Sequence, residues 1–308
     1  MDISVIIPVY NEETNILPLY QRLQQVLITL TDKYELIFIN DGSTDASGNM
    51  IKELARQASQ VKYIDFSRNF GHQIAVSAGL DKAHGAAMVI IDCDLQDPPE
   101  LIPDLYRRWQ EGYEVVYAER RQRNGENAAK KLTASFFYRL LAKITHISIP
   151  VDAGDFRIIS RKVALALQQM PEKHKFIRGQ ISWIGFKQTS LVYDRAERAG
   201  GESSYTYRKM IRLALDGITS FSNLPLKMAT ISGFLVSGIA FLLMLYTLYS
   251  RFISQDYVPG WSSLMLSVLF LGGVQLISIG IIGEYISRLS DNVRNRPLYI
   301  VNETNIAD

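Results

Sequence analysis

Residues 87–100 read AMVIIDCDLQDPPE. Five apolar residues, Ala87 to Ile91, stop at Asp92, and a second carboxylate follows at Asp94. A short apolar run bounded by polar residues suits a strand buried on both faces. Pro99 then opens a helix to Gln110, where a missing N–H costs nothing. Working outward, Ser4–Val9, Tyr34–Ile39, Val61–Phe66 and Tyr113–Ala118 have the same strand character. Asn15–Thr31, Ala46–Gln60 and His72–Ala83 lie between them with helical apolar spacing. Apolar strands alternating with helices predict an α/β domain with a mostly parallel sheet, Rossmann-like and covered on both faces.

Such a sheet binds ligands just beyond the carboxyl ends of its strands. Polar clusters stand at three such ends: Tyr10-Asn11-Glu12-Glu13, Asn40 to Asp45, and Asp92 to Asp97. Asp92 and Asp94, with Gln96 beyond, offer hard oxygen ligands suited to Mg²⁺ or Mn²⁺ on a diphosphate. Asp41 stands one position too early to cap the following helix, a task open to Ser43, Thr44 or Asp45. Its carboxylate could accept hydrogen bonds from a nucleobase imide or from ribose hydroxyls. Cys93, the only cysteine, fills the middle of the carboxylate pair, where its thiol pKa would rise. It excludes an intramolecular disulfide, and His72, His84, His146 and His174 show no zinc-ligand spacing. There is no Gly-x-x-x-x-Gly-Lys phosphate loop.

The 308 residues carry 33 basic and 31 acidic side chains, a net +2, which argues against nucleic-acid binding by bulk electrostatics. The mean hydropathy of +0.02 averages two unlike parts. Residues 228–250 and 257–283 are uncharged runs of 23 and 27 residues, each long enough to cross a bilayer. Their short connection makes a hairpin. Arg208, Lys209, Arg212 and Lys227 precede it and Arg288, Arg294 and Arg296 follow it, whereas the connection offers only Arg251. The basic bias predicts a multi-pass protein of the plasma (inner) membrane with the α/β domain and both termini cytoplasmic. Nothing at Met1-Asp2 resembles a signal peptide. Expected boundaries are an α/β domain over 1–204, an amphipathic interfacial helix over 205–227, the two spans, and a cytoplasmic tail over 284–308.

Several stretches carry a family likeness: VIIPVYNEE (5–13), FINDGSTD (38–45), SRNFGHQIAVSAGLD (67–81), IDCDLQDPPE (91–100), GDFRIISRKV (154–163), ALDGITSFSNLPLK (214–227) and LFLGGVQLISIGIIGEYISR (269–288). The chain resembles the inverting family 2 glycosyltransferases of GT-A fold. Within them it looks most like the polyisoprenyl-phosphate branch of dolichyl-phosphate mannosyltransferases and bactoprenol glucosyltransferases. The GDFR block and two-span tail lean toward the latter.

The resemblance implies metal-dependent transfer of a sugar, glucose by preference, from a UDP-sugar to undecaprenyl phosphate for cell-surface glycan modification. By motif, Pro8, Tyr10, Glu12, Asp41, Asp92 and Arg120 contact the nucleotide-sugar. Asp92, Asp94 and Gln96 hold the metal, and Lys131, Ser135 and Arg198 meet the lipid phosphate. Asp155 is the candidate base, or the group that holds the sugar hydroxyls. Where the family continues Arg-x-x-Gly-x-Ser with Lys, this chain has Ser204. Alternatives are the same reaction with mannose, galactose, an N-acetylhexosamine or a modified arabinose, or a non-catalytic scaffold or flippase subunit. A processive polysaccharide synthase is disfavoured, since Gln180-Ile-Ser-Trp183 lacks the arginine of Gln-x-x-Arg-Trp. A homo-oligomer in the bilayer is compatible with these features.

Overall fold

The computed structural model describes residues 1–120, 153–193, 224–249 and 260–306. The chain divides into two compact units: Met1–Arg212 with Arg296–Asp308, and Leu213–Asn295.

The first unit opens with β1 (Ile3–Val9), α1 (Ile16–Ile28), β2 (Tyr34–Asn40), α2 (Ser47–Gln57), β3 (Val61–Phe66), α3 (His72–Lys82) and β4 (Ala87–Ile90). A 3₁₀ turn at Pro99–Leu101 leads into α4 (Ile102–Gln110), followed by β5 (Val115–Arg120). Beyond residue 152 come β6 (Ala153–Ser160), α5 (Arg161–Gln168), α6 (Ile177–Ile184) and β7 (Gln188–Tyr193). Each strand and helix expected between residues 4 and 118 forms within a few residues of its expected bounds.

The sheet order is β7-β5-β6-β4-β1-β2-β3-β8, where β8 is Val301–Thr304. β4, β1, β2 and β3 run parallel. β6 enters antiparallel between β4 and β5. Every residue of β1 and β2 is buried, as helices on both faces require. Alternation divides the core: Val5, Ile7, Leu36 and Phe38 pack on one face. Ile6, Ile37 and Ile39 pack on the other. On the first face α1 buries Ile16, Leu19, Leu23 and Leu27, one helical stripe. On the second, Gly79 lets α3 lie directly on the sheet, because a Cβ there would stand 2.4 Å from Ile6 Cγ2.

Pro8 is tolerated in this central strand for a geometric reason. Ile6 C=O accepts from Ile91 N–H, so Ile6 and, two residues on, Pro8 face the β4 side. The β1–β4 ladder ends at Ile6, so no carbonyl on that side needs a proton from Pro8.

The C-terminal segment differs from the expected tail. Val301–Thr304 adds β8 antiparallel to β3. Tyr299 stacks on Phe66, and Lys52 bridges Asp65 and Glu303 at 3.1 and 2.7 Å. Four exposed residues, VNET, carry no strand pattern of their own. They pair because β3 otherwise presents an open edge.

The second unit holds α7 (Leu224–Tyr249) and α8 (Trp261–Val293). Both are long and apolar enough to cross a membrane. Phe234 is 76% exposed and Leu276 71%, unlike buried helices of a soluble core. Helix α8 continues ten residues past Gly283, the end of the expected span, with Arg288 Nε paired to Glu284 at 3.1 Å. Residues 205–223, expected as an interfacial helix, lie outside the described residues.

Candidate active site

The loops after β1 and β2 are laced together. Asn11 N–H donates to Ser43 Oγ at 3.0 Å, Glu12 N–H to Ser47 Oγ at 2.9 Å, and Glu13 N–H to Asp45 Oδ2 at 3.2 Å. In return Thr44 N–H donates to Asn11 Oδ1 at 2.8 Å and Ala46 N–H to Glu13 Oε2 at 2.9 Å. Asn11 turns the chain at φ +55°, which asparagine tolerates. The lacing leaves Tyr10 half exposed on the rim. Glu12 Oε2 accepts from Asn15 Nδ2 at 2.5 Å.

Asp41 is buried at the end of β2 and faces the loop that enters α3. Its Oδ1 accepts Phe70 N–H at 2.6 Å, and its Oδ2 accepts Gly71 N–H and Asn69 Nδ2, both at 3.0 Å. Burial raises its pKa, against the pull of the bonds from Phe70 and Gly71. Gly42, at φ +65°, permits the approach of that loop, since a Cβ there would lie 2.4 Å from the Arg68 carbonyl carbon. The candidate nucleotide ligand therefore also anchors residues 69–71.

The β4 loop carries the carboxylate pair. Gln96 N–H turns back to Asp94 Oδ1 at 3.2 Å, and Leu95 sits at φ +59°, an uncommon conformation for leucine. Gln96 is buried, and the buried Tyr193 hydroxyl donates to Asp97 Oδ1. Cys93 is 2% exposed, and burial together with Glu12, Asp94 and Asp92 pushes its thiol pKa up. Asp92 Oδ1 is buried and accepts no hydrogen bond among the described residues. Burial raises the Asp92 pKa; His72 opposes this and the neighbouring carboxylates reinforce it.

Asp155 reaches the same rim through the antiparallel β6. The register Ile90↔Arg157, continued two residues, sets Asp155 opposite Asp92. Asp155 Oδ1 accepts Arg178 Nε at 2.7 Å, and His72 Nε2 stands 3.3 Å from Asp155 Oδ2 and 3.6 Å from Asp92 Oδ1. Gln73 Nε2 approaches Asp155 Oδ2 at 3.4 Å while its Oε1 accepts Ile177 N–H at 3.1 Å. The first turns of α3 and α6 thus converge on one carboxylate. Arg157 is more distant, Nη2 to Oδ1 being 3.8 Å, and donates instead to Gly154 O at 2.8 Å. Burial opposes ionisation of Asp155, but the Arg178 charge and the bonds from His72 and Arg178 hold its carboxyl well below the usual range. Burial likewise opposes a charged His72, yet Asp155 and Asp92 raise its pKa to about 9. Burial takes Arg157 down to about 10.

Of the residues singled out in the sequence, Tyr10, Glu12, Asp41, Asp92, Asp94, Gln96 and Asp155 gather at the rim formed by β1, β2, β4 and β6. Pro8 lies in β1 beneath it. Arg120 ends β5 opposite Tyr193, and its side chain lies outside the described structure. Lys131, Ser135 and Arg198 also lie outside the described residues. His72, Gln73 and Arg178 received no role from the sequence. His72 falls in the SRNFGHQ stretch, the one available signal, whereas nothing local marks Arg178.

A mostly parallel sheet with this rim and a carboxylate pair after β4 suits a glycosyltransferase of the GT-A type. The chain belongs to glycosyl transferase family 2, whose family model matches residues 4–167. Residues 224–289 match the GtrB C-terminal hairpin. The chain is 51% identical to the uncharacterized glycosyltransferase YkcC of Bacillus subtilis, over 98% of this chain and 93% of that protein. It is 42% identical to the SfII prophage-derived bactoprenol glucosyl transferase of Shigella flexneri, over 99% and 98%. A crystal structure of Mycobacterium tuberculosis glucosyl-3-phosphoglycerate synthase with Mn²⁺, UDP-glucose and glycerol 3-phosphate is similar at 20% identity and TM-score 0.45, over 71% of this chain and 78% of that one.

Proposed function

We propose that this protein transfers glucose from UDP-glucose to the phosphate of a polyprenyl lipid, with inversion, at the cytoplasmic leaflet. The observation that carries this reading is the union, in one chain, of the Asp92–Asp94 rim with an exposed apolar hairpin that matches GtrB. The bactoprenol glucosyl transferase named above is similar over nearly its whole length, which supports glucose and a polyprenyl phosphate. The strand β8, which follows the hairpin, joins the same sheet as strands that precede it. The basic residues that flank the hairpin on both sides support a cytoplasmic location for both of its ends.

The rim suits a divalent ion that arrives with its nucleotide. Asp92 Oδ1 is a buried oxygen with no hydrogen-bond donor among the described residues. Yet among the described residues no group of three or more acidic, histidine or cysteine side chains is arranged to hold an ion alone. Two carboxylates completed by phosphate oxygens fit Mg²⁺ or Mn²⁺. Asp92 and Asp94, with Gln96, would hold the ion; bound there, it would neutralise charge on the departing diphosphate. Tyr10 and Asp41 stand where the nucleoside would lie.

An oxygen of the acceptor phosphate attacks the anomeric carbon as the bond to the diphosphate oxygen breaks. The electron pair leaves with UDP. The phosphate oxygen is already an anion, so no proton has to be removed. The protein's task is to orient two anions and offset their repulsion. Purified full-length protein in nanodiscs containing undecaprenyl phosphate, given labelled UDP-glucose and Mg²⁺ or Mn²⁺, should form a glucosylated lipid. Asp94→Asn should abolish it. Absence of any glycolipid across a panel of UDP-sugars would sink the assignment.

A further inference from the structure

We infer that the C-terminal segment 299–304 is a positioning strap for the donor site, holding the loops after β2 and β3 in the shape that receives the nucleotide. This rests on the reading above that Tyr10 and Asp41 meet the nucleoside.

Strand β8 runs antiparallel to β3, with Val301 opposite Phe66. Its first residues, and Tyr299 and Ile300 before them, therefore lie at the carboxyl end of β3, which is the rim. From there the segment reaches the donor loops by two routes. The first is through rings. Tyr299 stacks on Phe66 with centroids 5.0 Å apart, and Phe66 meets Phe70 edge-on at 5.6 Å. The Ile300 carbonyl accepts Ser67 N–H at 3.0 Å, so the backbone leaving β3 is held as well. Phe70 N–H in turn donates to Asp41 Oδ1 at 2.6 Å. Residues 67–71 form neither helix nor strand, so their shape is set by what packs on them.

The second route is polar. Asn302 Nδ2 donates to Asp65 Oδ2 at 3.2 Å, and Lys52 Nζ links Asp65 with Glu303. Asp65 Oδ1 accepts Asn40 Nδ2 at 2.7 Å, and Asn40 Oδ1 accepts Ser43 N–H at 3.2 Å. Ser43 Oγ then accepts Asn11 N–H, one residue beyond Tyr10. Asn40 and Asp65 are 6% and 9% exposed, so water competes poorly for these bonds. Covering the edge of β3 needs backbone pairing alone. Here the side chains of Tyr299 and Asn302 extend the contact, and both chains of interaction end on residues at the nucleoside side of the rim. A ligand that requires one loop shape binds more weakly when that shape is less populated. Tyr299 and Asn302 are thus positioning residues that act on the donor through the loops they hold.

The test compares Tyr299→Ala, Tyr299→Phe and Asn302→Ala with the unaltered full-length protein in nanodiscs, well below the unfolding temperature of each. UDP is titrated with Mn²⁺, and KM is measured separately for UDP-glucose and undecaprenyl phosphate. Loss of the stacked ring should weaken UDP and raise the UDP-glucose KM about threefold to tenfold in Tyr299→Ala. The lipid KM and kcat should stay within about twofold of the unaltered protein. Tyr299→Phe keeps the ring and should restore UDP affinity. Asn302→Ala should also weaken UDP. A Tyr299→Ala protein with a lower Tm but unchanged UDP affinity would reduce the strap to an edge cover and overturn the inference. A second measurement needs no substitution. Coupling is reciprocal, so saturating UDP with Mn²⁺ should slow amide exchange at residues 300–304. Exchange there that is indifferent to UDP would also overturn the inference. If the unaltered protein bound no UDP, the donor assignment would fall and this inference with it, whereas UDP binding indifferent to Tyr299 would overturn the inference alone.

Discussion

Asp41→Ala separates two roles for one carboxylate. In a purely nucleotide-binding role, its loss would weaken UDP and leave the free protein as stable as before. In the structure Asp41 is 3% exposed and accepts Phe70 N–H at 2.6 Å, Gly71 N–H at 3.0 Å and Asn69 Nδ2 at 3.0 Å. A hydrogen bond to a charged group contributes about 1.5–3 kcal/mol net. Phe70 and Gly71 are partly exposed, so water can reach their freed N–H groups, and burial already disfavours the Asp41 charge. Taking the low end for the two backbone bonds gives a loss of about 3 kcal/mol. For a domain of this size that lowers Tm by about 6–12 °C. The assay is thermal unfolding of the full-length protein without nucleotide, followed by fluorescence. Asp41→Asn should fall in between, since its amide NH₂ meets donors where an oxygen stood. A nucleotide-free Tm within about 1 °C of the unaltered protein, with UDP affinity reduced, would refute the anchoring role.

Two further outcomes test the packing and the C-terminal strand. Gly79→Ala would put a Cβ 2.4 Å from Ile6 Cγ2 and 2.9 Å from Ile39 Cδ1, and this overpacking should cost about 1–3 kcal/mol in spite of alanine's helix preference. An unchanged unfolding midpoint would mean that α3 does not lie against β1 as described. Glu303 is held below its ordinary pKa of 4.5 by the bonds from Lys52 and Tyr63. A depressed carboxylate stabilises above its unfolded pKa, and that contribution disappears as pH falls through the folded value. Amide exchange at residues 301–304, corrected for intrinsic rates, should therefore accelerate in acid, and Glu303→Gln should remove most of the difference. Protection at β8 that does not change with pH would show that the Lys52 and Tyr63 contacts hold nothing there.

Much of the fold was legible along the chain. The apolar runs of β1, β2 and β4 have no use except burial between two layers of helices, so strand identity and parallel order follow from local pattern. The stripe of Ile16, Leu19, Leu23 and Leu27 marks α1 for the same reason. The paired carboxylates at Asp92 and Asp94 were visible because they end such a strand. The hairpin was visible because uncharged helices of this length are uncommon outside membranes.

What stayed hidden depends on contacts between distant segments. The C-terminal VNET resembles a tail because its pattern is neutral; it becomes a strand only because β3, some 240 residues earlier, offers unpaired backbone groups. The sequence could present Asp155 as a base or a sugar ligand, since a carboxylate's basicity is set by its neighbours and not by its spacing. Only the antiparallel insertion of β6 brings it opposite Asp92, and only the meeting of α3 and α6 gives it His72 and Arg178. Residues distant in sequence become an electrostatic unit when backbone pairing brings them within a few ångströms, where burial weakens the screening by water. The chain by itself determined that the rim would be acidic and the hairpin apolar. Tertiary structure decided that His72 and Arg178 face the buried Asp155.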